Sequence, residues 1–375
     1  MEDWRIIMKK VLSILMVLVM VFSLVACGSV EESSKTSKTD DQKKEEAIEE
    51  KVSESQDEGE EKANEESNES EDDIPKGDYK IGYTCPTLNN PFFVSMKEGA
   101  ELAAEERGAS LTMFGGDNDV TKQIEQIEDF ISQDMDAIIV QTVDTTGIIT
   151  AIEAANEAGI PVFTTAERPA GGEIESTIVF DSYESGYNGG TYIGEKLEGV
   201  GEVVELVGVL GQETSREKSR GFQEALDNFE DIVILASQPA EYDRATAMSV
   251  MENMLQAYDN IDAVYAANDE MALGAVQAIE AAGKLDEIFV MGNDGTDEAL
   301  QSIEEGKLGA TNGTPGYIQG YIAVDVAIRF LNGENVPSVI NERNTIIDAD
   351  NLSDSERILK GVSREDWYWL DQFDE

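Results

Sequence analysis

From Tyr79 to about Asn351, short apolar runs alternate with stretches of roughly 11 to 17 residues whose apolar positions recur at helical spacing. The runs are Lys80 to Cys85, Ser110 to Phe114, Ala137 to Val143, Pro161 to Thr165, Ser176 to Phe180, Glu202 to Gly208, Ile232 to Ser237, Ala263 to Ala267, Ile288 to Gly292 and Leu308 to Thr311. Strands so alternated with helices predict parallel sheets covered on both faces. Ten strands are too many for one comfortable doubly wound sheet, and about 270 residues suit two lobes of ordinary domain size. The expected fold class is therefore α/β, with two doubly wound parallel-sheet lobes.

The ends of the chain break this pattern. Lys9 and Lys10 precede an apolar stretch from Val11 to Phe22 that closes on Leu24-Val25-Ala26-Cys27-Gly28. A spanning helix needs about 20 apolar residues, whereas this run is shorter and has the order of an export signal. It resembles a bacterial lipobox, which implies a signal peptide over 1–27 and lipidation of Cys27. Residues 28–78 contain no aromatic side chain and are rich in Ser, Glu, Asp, Lys and Asn. Such a composition cannot bury enough apolar area to offset the entropy of ordering. It reads as a disordered acidic tether of roughly fifty residues, with a relaxed reach on the order of 40 Å. After Asn351 comes a tail over 353–375, helical in pattern from Ser353 to Leu359 and carrying Trp367-Tyr368-Trp369. Aromatic side chains in so acidic a setting are expected to pack back on a lobe.

Charge and composition narrow the function. The formal net charge is −51, and residues 31–76 account for only part of it, with 7 Lys against 19 Asp and Glu. A folded region this acidic is repelled by phosphate backbones, which disfavours nucleic acid as a partner. With Cys27 assigned to lipid, Cys85 has no disulfide partner and is expected to be a small buried residue. The chain has no histidine, and so lacks the commonest general base and zinc ligand. Neither a nucleophile elbow nor a phosphate-binding loop is present. Gly189, Gly190 and Gly194 lack dinucleotide-site spacing and suit close helix packing. Asp117-Asn118-Asp119 is not followed by calcium-loop spacing. No cofactor and no catalytic residue is expected.

Thr87-Leu88-Asn89-Asn90-Pro91-Phe92-Phe93 follows the first predicted strand and opens a helical pattern. Amides hydrogen-bond hydroxyls, and rings stack on the apolar C–H face of a sugar. The same residues also suit a turn followed by two core phenylalanines. Ligands of open parallel sheets bind beyond the carboxyl ends of the strands. The polar residues there are Asn89, Asn90, Glu167, Arg168, Arg216, Asn268 and Asp294, and Thr214-Ser215-Arg216-Glu217 has capping-box spacing.

Three further segments make a resemblance specific: Ser237-Gln238-Pro239-Ala240 leading to Tyr242-Asp243-Arg244, then Ala267-Asn268-Asp269-Glu270-Met271-Ala272-Leu273-Gly274-Ala275, and Asp294-Gly295-Thr296. With the Asn89–Phe93 segment, they resemble the ribose-binding-protein group of type 1 periplasmic binding proteins, which serve ABC transporters. The resemblance implies two lobes joined by three hinge crossings, placed near Phe180 to Asp181, Gly313 to Gly316 and Glu342 to Thr345. The lobes would then comprise 79–180 with about 315–342, and 181–314 with about 343–352. It also implies that Asn90, Arg168, Arg216, Asn268 and Asp294 hydrogen-bond a monosaccharide, pentose or hexose. Phe92, Phe93 and Tyr242 would stack on it, although Phe93 equally suits the lobe core. The implied partners are a membrane permease and, through the lipid, the extracytoplasmic face of the cell membrane; a monomer is expected. Pro86 stands where the group has a serine. The segment ending in Glu167 and Arg168 is one residue longer than the group's, and Thr314 or Asn312 replaces a glutamine. Alternatives are a lipoprotein presenting sugar occupancy to a sensor kinase, a carboxylate-based glycan-acting enzyme, and a sugar-responsive repressor, the last disfavoured by the export signal.

Overall fold

The computed structural model describes residues 76–314, 316–360 and 373. The signal peptide, Cys27, most of the tether and Trp367-Tyr368-Trp369 lie outside the described residues.

Two six-stranded sheets organise the described chain. The first comprises β1 (Lys80–Cys85), β2 (Ser110–Gly115), β3 (Ala137–Val140), β4 (Val162–Thr165), β5 (Ser176–Val179) and β11 (Val339–Asn341), in the order β11-β5-β4-β3-β1-β2. All its pairings are parallel. The second comprises β6 (Val200–Val207), β7 (Asp231–Pro239), β8 (Ala263–Ala266), β9 (Phe289–Asp294), β10 (Ala310–Gly313) and β12 (Thr345–Asp348), in the order β12-β10-β9-β8-β6-β7. Only β12 runs antiparallel to its neighbour. Strands β3, β4 and β8 are buried at every residue, as central strands of a sheet covered on both faces should be. The edge strand β7 keeps an exposed side. β11 and β12 have three and four residues; neither was expected as a strand, because runs so short carry no periodicity of their own.

Each lobe is closed by a helix pair that meets backbone to backbone. In the first, α1 (Pro91–Arg107) lies on α9 (Gly316–Leu331), where a Cβ on Gly99 or Gly320 would come within 1.9 Å of a carbonyl oxygen of the other helix. In the second, Gly186 of α4 (Ser182–Lys196) and Gly221 of α5 (Glu213–Leu226) play the same part. Gly190 likewise meets the Phe222 carbonyl, so the α4 glycines serve packing. Arg107 and Asp325, each 1 % exposed, form an ion pair between α1 and α9.

The chain passes between lobes three times. β5 belongs to the first sheet, while α4, which follows Phe180 and Asp181, packs in the second lobe. β10 belongs to the second sheet, and after Thr314 the chain enters α9 in the first lobe. β11 and β12 lie in different sheets and are joined by 342–344. Strand carboxyl ends of both sheets consequently border one cleft.

Candidate ligand-binding site

α1 begins where it does because Asn90 caps it and Pro91 supplies a pre-set first residue: Asn90 Oδ1 accepts from the Phe92 N–H at 2.9 Å. Asn268 does the same for α7 (Asp269–Ala281), accepting from the Met271 N–H at 2.9 Å. Each amide thus spends its oxygen on a helix terminus and is held rigidly at a strand end. Both border a cavity of about 350 Å³ between the lobes.

The first lobe lines it with Asn89, Asn90, Phe92, Phe93, Gln141 and Glu167. Phe92 and Phe93 meet edge to face, with centroids 5.2 Å apart and planes at 84°. Pro86 also lines the wall and offers no N–H there. The second lobe contributes Lys218, Tyr242, Asn268 and Asp294, and the hinge contributes Phe180 and Thr314. Thr314 is 1 % exposed, and its hydroxyl lies 3.4 Å from Asn344 Oδ1, tying the second crossing to the third.

On the second-lobe wall the buried Lys218 lies near the half-buried Asp294. Lys218 Nζ donates to the Ala267 carbonyl at 3.1 Å and lies 5.3 Å from the centre of the Phe180 ring. Burial pulls its ammonium below the usual lysine range, opposed by the carboxylates of Asp294 and Asp269. Burial likewise pushes the Asp294 carboxyl well above the usual carboxylate range, and Lys218 opposes it. Asp294 also has φ of 123°, a backbone region that a side chain rarely adopts. Its carbonyl accepts from the Thr314 N–H at 3.1 Å, which joins this strained turn to the hinge. Tyr242 is left-handed at φ 57°, and its ring covers Gly208.

A hydrogen bond spans the cleft. Glu167 Oε1, from the first lobe, accepts from the Thr214 N–H in the first turn of α5 at 2.9 Å. Burial raises the Glu167 pKa, with the Thr214 contacts opposing. The capping-box reading of 214–217 is therefore corrected: α5 starts at Glu213, its N-cap Gln212 makes no side-chain cap bond, and a free first-turn N–H is satisfied from the opposite lobe.

Nine of the expected residues border the cavity: Asn89, Asn90, Phe92, Phe93, Glu167, Tyr242, Asn268, Asp294 and Thr314. Two do not, and they are corrected here. Arg168 turns back onto its own lobe, donating to Thr177 Oγ1 at 3.2 Å, the Ser338 carbonyl at 3.3 Å and the Ile174 carbonyl at 3.0 Å. The left-handed Ala166, φ 63°, reverses the chain just before it. Arg216 is spent on the carbonyls of Leu210 and Gly211, at 3.0 and 2.8 Å, outside the cavity. Lys218, which lines the cavity, is not among the residues expected from the sequence. The signal was present: it falls in the inward stripe Ser215, Lys218, Phe222, Ala225 of α5.

A two-lobed α/β protein with a polar and aromatic cleft at its strand ends is a binding protein in architecture. The chain belongs to the family described as periplasmic binding protein domain, whose profile matches residues 81–335. It is 39 % identical over 266 residues to the ribose import binding protein of Bacillus subtilis, covering 71 % of this chain and 86 % of that one. Against the ribose import binding protein of Escherichia coli it is 37 % identical over 256 residues, covering 68 % and 86 %. Among solved structures, an ABC transporter solute-binding protein of Actinobacillus succinogenes with bound D-allose is similar at a TM-score of 0.71 and 30 % identity, covering 74 % of this chain and 99 % of that one. One from Bacillus halodurans with bound myo-inositol gives 0.70 and 32 %, covering 76 % and 99 %.

Proposed function

We propose that this protein is the substrate-binding component of a sugar ABC importer, taking an uncharged monosaccharide or similar polyol between its lobes and delivering it to a membrane permease. The observation that carries this reading is the pairing across one cavity of Asn90 and the Phe92–Phe93 rings with Asn268 and the Lys218–Asp294 pair. Directional donors and acceptors would read hydroxyls, and rings would cover the apolar face of the ligand. Asn89, Tyr242 and Thr314 complete the proposed contact set, and Glu167, which borders the cavity, clasps the opposite lobe.

The protein would act as a monomer, without a cofactor and without turnover. Lipid on Cys27 would anchor it to the extracytoplasmic face of the cell membrane, with the acidic segment after it as a spacer. The test is purification without refolding, mass spectrometry of the co-purifying ligand, and calorimetric titration with D-ribose, D-allose and myo-inositol. Binding of one without chemical change is expected. Failure of all three with no polyol co-purifying, or conversion of the ligand, overturns the reading. Fatty-acid labelling that survives Cys27→Ala overturns the anchor.

A further inference from the structure

The chain does not end with its third crossing. Beyond β12, Leu352 packs on the second-lobe core, and the short α10 (Ser355–Lys360) follows. Leu359 of α10 is 7 % exposed and sits against the backs of two glycines of the second lobe. A Cβ on Gly295 would come within 2.7 Å of Leu359 Cδ2, and one on Gly313 within 3.1 Å. These glycines adjoin Asp294 and Thr314, the two cavity residues linked by the 3.1 Å backbone bond. The next residue reaches the other lobe: Lys360 Nζ stands 5.9 Å from the centre of the Tyr317 ring on α9. Tyr317 is the residue whose carbonyl Gly99 of α1 touches, so Lys360 meets the helix pair that closes the first lobe. Further along, Phe373 packs against the first-lobe core and lies 5.2 Å from the Arg329 guanidinium of α9.

We infer that the C-terminal helix is a fourth tie between the lobes, anchored by Leu359 on the second and by Lys360 on the first, that limits how far the cleft opens. The hinge strands rotate at the three crossings, and rotation there alone leaves each lobe intact. α10 is different, because its two adjoining residues are seated on different lobes. Opening must therefore unseat Lys360 from Tyr317 or lift Leu359 from the glycine pair. Lifting Leu359 also removes the packing behind the strained Asp294 turn, so the tie supports a cavity residue as well as the hinge. A tie satisfied only in the closed arrangement shifts the open–closed balance toward closure, and apparent affinity follows that balance.

The part of this inference that concerns affinity rests on the sugar-binding reading; the part that concerns opening does not. The full-length chain carries spin labels at Glu101→Cys on α1 and Glu252→Cys on α6 (Arg244–Ala257), both exposed and one on each lobe. Inter-label distances are measured by pulsed electron paramagnetic resonance without sugar and with saturating D-ribose, D-allose or myo-inositol, whichever binds. In the Leu359→Ser/Lys360→Ala background, the sugar-free distribution is expected to gain a longer-distance population that the parent lacks. The sugar-saturated distribution stays put, and the dissociation constant rises roughly tenfold. Tyr317→Leu, which leaves Leu359 seated, should reproduce the longer-distance population if the double variant folds poorly. A sugar-free distribution identical to the parent's in both backgrounds overturns the tie. Failure of all three sugars to bind overturns the function reading and leaves the sugar-free measurement able to decide the tie.

Discussion

The cleft-spanning contact between Glu167 and Thr214 yields a sharp prediction. The acceptor is a carboxylate, the donor is a backbone N–H in the first turn of α5, and the separation is 2.9 Å. A hydrogen bond with one charged partner contributes about 1.5 to 3 kcal/mol net, and its position at a helix N-terminus favours the negative group. The two atoms belong to different lobes, so the bond exists only when the cleft is closed, and its loss falls on the closed state alone. At about 1.4 kcal/mol per factor of ten, Glu167→Ala should raise the sugar dissociation constant roughly 10- to 150-fold. Thr214→Pro deletes the donor while leaving the carboxylate, and proline is tolerated in a first helical turn. Both single variants should weaken binding to a similar degree, and the double variant no further. Titration calorimetry of the four forms reads the coupling directly. If Thr214→Pro binds like the parent while Glu167→Ala binds weakly, the clasp is wrong and Glu167 acts on the sugar itself.

Three other outcomes follow from the same geometry. Glu342, at the third crossing, is buried and accepts from Gln319 Nε2 at 2.6 Å, and burial raises its pKa to about 8. The folded state holds the neutral acid, so this stability is full below the ordinary value near 4.5 and is lost as pH rises through 8. Urea unfolding at pH 5, 7 and 9 should show a decline on the order of 4 kcal/mol that Glu342→Gln abolishes; a parallel decline in the variant refutes the assignment. Lys218→Met takes away the ammonium that opposes the raised pKa of Asp294 and should raise that pKa further, so the variant's stability, read by urea unfolding, should fall more steeply than the parent's as pH rises. A pH-independent loss would point to packing alone. Arg216→Ala, freeing only the carbonyls of Leu210 and Gly211, should leave sugar affinity within about threefold, given typical surface effects of ±0.5 kcal/mol; a larger loss, read by the same calorimetry, would restore Arg216 to the site.

How much was legible along the chain depended on whether the cause was local. The ten strand runs were readable because central parallel strands are largely apolar along their length; β3, β4 and β8 are buried at every residue, and only β4, with Thr164 and Thr165, carries hydroxyls beyond Tyr265. β11 and β12 were not, since a three- or four-residue edge strand is defined by its partner, here β5 or β10. Asn90 and Asn268 were readable at strand ends because each is also a helix cap, a role with a strong local preference. The choice among the cations of α5 was not local. Arg216 and Lys218 are two residues apart, which at about 100° per residue puts them on nearly opposite faces of the helix. Only the inward stripe through Phe222 decides between them. Arg168 failed for a different reason: the left-handed Ala166 sends its neighbours in opposite directions, Glu167 across the cleft and Arg168 into its own lobe.

The unequal walls of the cavity suggest why closure would depend on a ligand. The first lobe presents mostly rings and amides, with the Asn90 oxygen already committed to α1, while the second presents the buried Lys218 ammonium near the half-buried Asp294 carboxyl. Lys218 has three N–H groups, one of which goes to the Ala267 carbonyl. Bringing the Phe92 and Phe93 rings against that pair strips water from polar atoms that the rings cannot satisfy, at a cost of about 1 to 3 kcal/mol for each group left without a partner. A ligand carrying several hydroxyls supplies those partners and offers its apolar face to the rings in the same pose. A ligand with an added carboxylate or phosphate meets Glu167, Asp294 and Glu270 with one buried cation among the lining residues to offset them, because Arg244 is already paired with Glu270 and Glu298. Uronates and sugar phosphates should therefore bind at least tenfold more weakly than the uncharged sugar of the same stereochemistry. Equal affinity in competitive titration would show that the cavity does not read charge.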